Sequence, residues 1–323
     1  MKESMRKRVL ALILILLMVI TVVAACSKDD DTPREPGGPA KAMFITHSMN
    51  DASQRFSWSE FQRLMGDFNI EMTEVSGDNN TSAEIASIER AVSEGYDVIF
   101  INPTDAEAII PALQRAKEAN VIVGLFSSRL PAGHTSEDII DFLCSTDDFL
   151  SAMMAGEYIN QHFTDGANVV EIRGPVGEAD YLHNGFIAGL ADNINVLATQ
   201  HSNGWSANEA RQIMDGFLND FGNDINIVWC HWDDGANGAI EAARAAGRDD
   251  IFIIGVGGNR VGYQNVFDGL QQLSVARNYT VMVRQSLQNA RTLLDGGSVS
   301  HINIIPMDMI TPDTVSNFTR PDW

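Results

Sequence analysis

The sequence predicts an α/β protein of two doubly wound, parallel-sheet (Rossmann-like) lobes. Apolar, β-rich runs of about six residues recur along it, and each is followed by a stretch with helical periodicity. The alternation comes in two consecutive series. Strands that alternate with helices pair in parallel, because each crossover helix returns the chain to the same edge, and the helices then cover both sheet faces.

In the first series, strands at 42–47, 70–76, 97–102 and 121–126 alternate with helices at 58–66, 82–95 and 106–119. A fifth strand, 139–146, follows without a long helix before it. The second series runs helix 149–163, strand 168–173, helix 179–193, strand 196–201, helix 207–221, strand 226–231, helix 236–246 and strand 251–256. Segments 262–268, 271–276, 279–295 and 303–309 complete it. In doubly wound sheets ligands sit beyond the carboxyl ends of the strands. With two such lobes those ends can face each other across a cleft, so the residues just after each strand are the candidates for function.

The first twenty-five residues are unlike the rest. Lys2, Arg6, Lys7 and Arg8 precede an apolar run of fifteen positions, 9–23, which meets Ala24, Ala25 and Cys26. This run is shorter than the roughly 20 residues of a spanning helix and ends in small residues, as a secretory signal does. Val23-Ala24-Ala25-Cys26 resembles a bacterial lipobox, which implies cleavage before Cys26 and lipidation of its thiol. Residues 27–40, SKDDDTPREPGGPA, carry charges, prolines and glycines and too little apolar surface to fold, so 26–40 reads as a lipidated cysteine and flexible tether.

The net charge of −21 becomes more negative once the basic signal is removed, which excludes nucleic acid as a partner. Beyond Cys26 only Cys144 and Cys230 remain, too few for a disulfide framework and not spaced as metal ligands. Each follows an apolar run, so buried thiols are the default and a single bridge the alternative. No nucleophile elbow, metal-spaced histidine set or phosphate loop is present, so neither catalysis nor a cofactor or metal is expected.

Four segments carry a resemblance: 95–105 (GYDVIFINPTD), 155–159 (AGEYI), 169–174 (VVEIRG) and 228–240 (VWCHWDDGANGAI). Through them the chain resembles the periplasmic binding protein type I superfamily, specifically the ribose- and galactofuranose-type sugar-binding proteins of ABC importers. That resemblance implies three crossings between lobes, near Asp147, near Arg277 and near 300–303, forming a three-strand hinge. The lobes become 41–147 with 278–300 and 148–277 with 301–323, closing on a ligand by hinge motion.

The family pattern also implies the ligand residues. Asn50, Phe56 and Trp58 follow the first strand, where polar and aromatic groups hold a sugar face; the two rings can instead cap the first helix. After the fourth strand, Ser127-Ser128-Arg129 lacks the family's aspartate, and Arg129 either supplies the guanidinium or points to solvent. Asp180 stands where the family has an arginine, and it and Glu178 serve as ligand groups or as helix-capping carboxylates. Trp205 aligns with a stacking aromatic, Trp232 replaces an asparagine, and His231 reads as a strand-end packing residue. Asn259 lies in a tight glycine turn after 251–256, and Arg277 replaces a glutamine. The expected function is an extracytoplasmic, lipid-anchored, monomeric solute-binding protein that delivers a monosaccharide or derivative to an ABC permease in the membrane. A sugar acid is the second ligand guess, and a sensing role feeding a chemoreceptor or sensor kinase is the alternative role.

Overall fold

The apolar runs form strands and the periodic stretches form helices in the predicted order. The computed structural model describes residues 36–131, 134, 138–175, 180–321 and 323, and within it Gly37–Trp323 are one compact unit. The expected signal at 1–25, the anchor Cys26 and the cleft candidate Glu178 lie outside the described residues. Gly37, Gly38 and Ala40, within the expected tether 26–40, are bonded to the body. Gly37 N donates to Asp295 at 2.7 Å and Arg291 donates to the Gly38 carbonyl at 2.8 Å, so from Gly37 on the chain is fixed to the body.

The strands are β1 (Ala40–Thr46), β2 (Ile70–Ser76), β3 (Val98–Asn102), β4 (Ile122–Phe126), β5 (Phe142–Ser145), β6 (Ala167–Arg173), β7 (Ile194–His201), β8 (Ile227–Cys230), β9 (Phe252–Gly257), β10 (Leu273–Ala276), β11 (Ile302–Ile304) and β12 (Asp308–Ile310). Nine α-helices are described: α1 (Ala52–Leu64), α2 (Thr81–Ser93), α3 (Ile110–Glu118), α4 (Asp148–His162), α5 (Asp180–Gly189), α6 (Ala207–Phe221), α7 (Asp233–Ala245), α8 (Arg260–Phe267) and α9 (Tyr279–Leu294). Most are capped by the polar residue that ends the preceding loop. Asp51, Asn80, Asp147, Ser206, Asn259 and Asn278 each accept a backbone N–H of the first turn, a contribution of about 1 kcal/mol per cap. Helix α3 starts later than the expected 106 because Pro111, which fits only a first turn, marks its beginning.

The strands make two six-stranded sheets, ordered β11-β5-β4-β3-β1-β2 and β12-β10-β9-β8-β6-β7. Apart from the two end strands these are the same order twice, so the lobes repeat one topology in which β1 matches β6 and β4 matches β9. All pairings are parallel except β12 on β10. Because helices cover both faces, the central strands β1, β3, β4 and β8 are apolar on both sides. Ala42 and Phe44 of β1 face Phe61, Phe100, Phe126 and the α9 residues Met282 and Leu287, while the alternate Met43 and Ile45 face Ile88 and Leu113. In the second lobe, Val170, Ile172 and Val228 pack on α6 and α7, and Val169, Ile227 and Trp229 pack under α4 and α5. Burial of this kind contributes roughly 1.5–3 kcal/mol for each large side chain. Cys144 and Cys230 are buried free thiols in different sheets, and burial pushes the Cys144 thiol up to about 12.

One boundary differs from the sequence reading. The expected single segment 303–309 is two short strands separated at Pro306: β11 pairs with β5 in the first sheet and β12 with β10 in the second. A proline cannot donate to a ladder, and here the chain leaves one lobe for the other. The third crossing therefore falls after Ile304, and β11 belongs to the first lobe.

Candidate functional site

The carboxyl ends of the two sheets approach each other. The loop after β4 reaches α4 and α5, and α1 faces the loops after β9 and β10. At the centre of one contact is Asp148, the first residue of α4, placed by the Asp147 cap. Its carboxylate takes Arg129 of the first lobe at 3.0 Å and Arg277, at the end of β10, at 2.7 Å. The Arg129 guanidinium also lies 4.0 Å from the centre of the Tyr181 ring on α5, a cation–π contact that crosses between lobes. Ser127 makes the turn that aims Arg129. It holds a left-handed φ of 48°, rare for serine, and its N–H donates to the Cys144 carbonyl at 2.8 Å.

The second lobe brings its two candidate tryptophans together. Trp205 and Trp232 meet edge-to-face with centroids 5.5 Å apart. The Trp205 ring lies over Gly174 at the end of β6, where an added Cβ would come within 2.2 Å of it, so only glycine lets the ring settle there. Trp205 remains 43 % exposed, an aromatic surface offered to solvent at the strand ends. Trp232 is 8 % exposed and packs in the α6–α7 core, with its indole N–H buried and unpartnered.

The other candidates fall in several environments. Phe56 is half-buried and stacks on Trp323 with centroids 5.5 Å apart and planes at 23°. Trp58 is stacked on Phe44 and packs against the first-lobe core. Asn50 is exposed, its carbonyl taking Arg55 at 2.7 Å. Asp180 is exposed and pairs with Arg173 at 2.6 Å. Asn259 caps α8 with its side chain and donates to Asp234 at 2.9 Å. A cleft of about 420 Å³ lined from both lobes includes Phe56, Glu60, Arg277, Asn278 and Trp323. Among the described residues no group of three His, Cys, Asp or Glu could hold a metal ion.

Sequence reasoning missed Asp148, Trp323 and a buried polar cluster in the second lobe. Glu171 of β6 is fully buried, and accepts His231 at 2.8 Å and His183 of α5 at 2.7 Å. Burial alone would raise its carboxyl, but these two imidazoles outweigh it and hold the pKa below the ordinary value. Burial pushes His231 down despite Glu171, so the ring is neutral near pH 7 and its Nε2–H donates, leaving Nδ1 buried without a partner. A charged residue inside the run Val169-Val170-Glu171-Ile172 was the available signal. The buried Asp233 organises the loop after β9. It accepts Gly258 N and Ser274 at 2.7 Å and Gln271 at 2.9 Å, and burial raises its pKa in spite of them. Gly258 there has φ +73°, and an added Cβ would sit 2.3 Å from that of Ala276.

Comparison with known proteins gives a consistent picture. The family described as periplasmic binding protein domain matches residues 43–298. The ribose import binding protein RbsB of Escherichia coli (strain K12) is 27 % identical over 224 residues, 68 % of this chain and 73 % of that protein. The xylitol-binding protein of Mycolicibacterium smegmatis is 25 % identical over 251 residues, 76 % of this chain and 70 % of its own length. In fold, the chain is similar to a galactofuranose binding protein, with TM-score 0.79, 22 % identity, and coverage of 86 % of this chain and 97 % of that one. A Caulobacter myo-inositol binding protein bound to myo-inositol gives TM-score 0.79 at 19 % identity, over 90 % and 98 % of the two chains.

Proposed function

The chain belongs to the periplasmic binding protein domain family, and on that footing we propose that it is the sugar- or polyol-binding component of an ABC importer. The ligand is a monosaccharide or a derivative taken between the facing strand ends. The observation that carries this reading is Trp205: a ring seated on Gly174, braced by Trp232 and still 43 % exposed at the carboxyl ends of the second sheet. An exposed aromatic face braced from behind suits the C–H face of a sugar ring, and the guanidiniums of Arg129 and Arg277 suit its hydroxyls. Names of relatives that bind ribose and xylitol support the same ligand class.

In this reading Arg129 and Arg277, held by Asp148, are the polar contacts, and Trp58 and Asn259 are structural. Cys26 carries a lipid that keeps the monomeric body at the outer face of the membrane, where a permease recognises the closed form. The test is a thermal-shift and tryptophan-fluorescence screen of the purified chain against sugars, polyols, sugar acids and nucleosides. Saturable binding raises the melting temperature by mass action. Absence of binding across the panel, together with turnover of a glycoside substrate, would sink the proposal.

A further inference from the structure

Two aromatic contacts bridge the lobes. In one, Arg129 of the first lobe lies on Tyr181 of the second. In the other, the bridge is built from the segment ending in Trp323. This segment is rooted in the second lobe: Phe318 packs beside Tyr263, Val266, Ile310 and Val315, and the Tyr263 hydroxyl donates to the Phe318 carbonyl at 3.4 Å. The Trp323 carbonyl accepts the Arg260 N–H, at the start of α8, at 2.6 Å. Its ring, however, belongs to the first lobe. It stacks on Phe56 of α1 and meets Tyr279 of α9 edge-on, with centroids 5.1 Å apart. One residue thus has its backbone bonded to one lobe and its side chain packed in the other, beside the cleft that both lobes line.

We propose that Trp323 is an interlobe latch, a positioning residue that holds the lobes in their approached arrangement and so sets the affinity of the cleft. The proposal rests on the ligand-binding reading above. Hinge closure draws its strength from contacts made across the lobes, and a contact that the chain makes with its own residues lowers the cost of closing. The ring also covers one face of Phe56, so the latch and a ligand stacked on that same face are incompatible.

The test separates the latch from the ligand. Small-angle scattering of the ligand-free chain reads lobe separation directly. Trp323→Ala and, independently, Phe56→Leu should each enlarge the radius of gyration, and Trp323→Phe, which keeps an aromatic on Phe56, should restore it. In the same variants, affinity for whichever panel sugar binds the native chain should fall about tenfold, the fraction expected when the competent arrangement becomes a minor one. Unchanged scattering in both Trp323→Ala and Phe56→Leu overturns the latch. Tighter binding in Trp323→Ala also overturns it, since it would show the ring competing with ligand for Phe56. If no sugar binds the native chain, the ligand reading fails, while the scattering comparison still decides the latch.

Discussion

Replacing Asp148 by Ala removes the one carboxylate shared by Arg129 and Arg277, and its cost follows from the geometry. Two charge-assisted hydrogen bonds, at 3.0 and 2.7 Å, are lost together. Such bonds contribute about 1.5–3 kcal/mol each when buried. Here the side chains are 21 % exposed for Asp148, 33 % for Arg129 and 20 % for Arg277, so solvent screening brings each bond to about 1 kcal/mol. The expected destabilisation is therefore about 2 kcal/mol, or a fall in Tm of roughly 4–8 °C for a domain of this size. Urea and thermal melts followed by tryptophan fluorescence measure it. Asp148→Asn, which keeps the shape and one acceptor, should lose about half as much. A double-mutant cycle with Arg129→Ala isolates the interlobe arm, with about 1 kcal/mol of coupling expected. A loss under about 0.5 kcal/mol for Asp148→Ala, with no coupling to Arg129, would refute the view that this carboxylate ties the lobes.

Three further outcomes are expected. Trp205→Ala should weaken a bound sugar by more than about tenfold by calorimetry; unchanged affinity removes Trp205 from the site. Acidification from pH 7 to 5 should destabilise the chain, since the folded His231 has a lowered pKa and takes up its proton less readily than the unfolded one near 6.5; the linkage is at most about 2 kcal/mol. Glu171, also lowered, adds loss of the same sign as pH falls further, whereas the raised Asp233 runs the other way, so the check is whether His231→Asn flattens the decline between pH 7 and 5. Cys26→Ser should move the chain from the membrane to the soluble fraction of fractionated cells; persistence in the membrane argues against lipid anchoring through that thiol.

The strands and helices were legible because a sheet buried on both faces demands long apolar runs, and runs such as Val98–Asn102 have few other uses. The crossing at β11 and β12 was not, since two three-residue strands separated by Pro306 read as one segment. At the site, Trp205 and Trp232 could be paired from their places after β7 and β8, but not their unequal exposure, which depends on how α6 and α7 pack. Asp148 was hidden behind Asp147: of two adjacent acids at a helix start, one caps the helix and the other meets two arginines far away in sequence. Trp323 was invisible, because an aromatic in an irregular segment carries no periodicity to say which lobe receives it.

Three buried carboxylates explain why the strand ends hold still around a space meant for something else. Glu84 accepts the backbone N–H and hydroxyl of Thr104 in the loop after β3, at 2.9 and 2.6 Å. Asp233 holds Gly258 in the loop after β9, and Glu171 holds the imidazole of His231 just beyond β8. A carboxylate removed from water is costly, so each persists only where its acceptors are filled, and filling them fixes the loop that supplies the donors. The ordering of these loops is thereby charged to folding, not to binding. Ligand contacts then have only the hinge and a few side chains to order, which is the condition for tight binding of a molecule too small to bury much area.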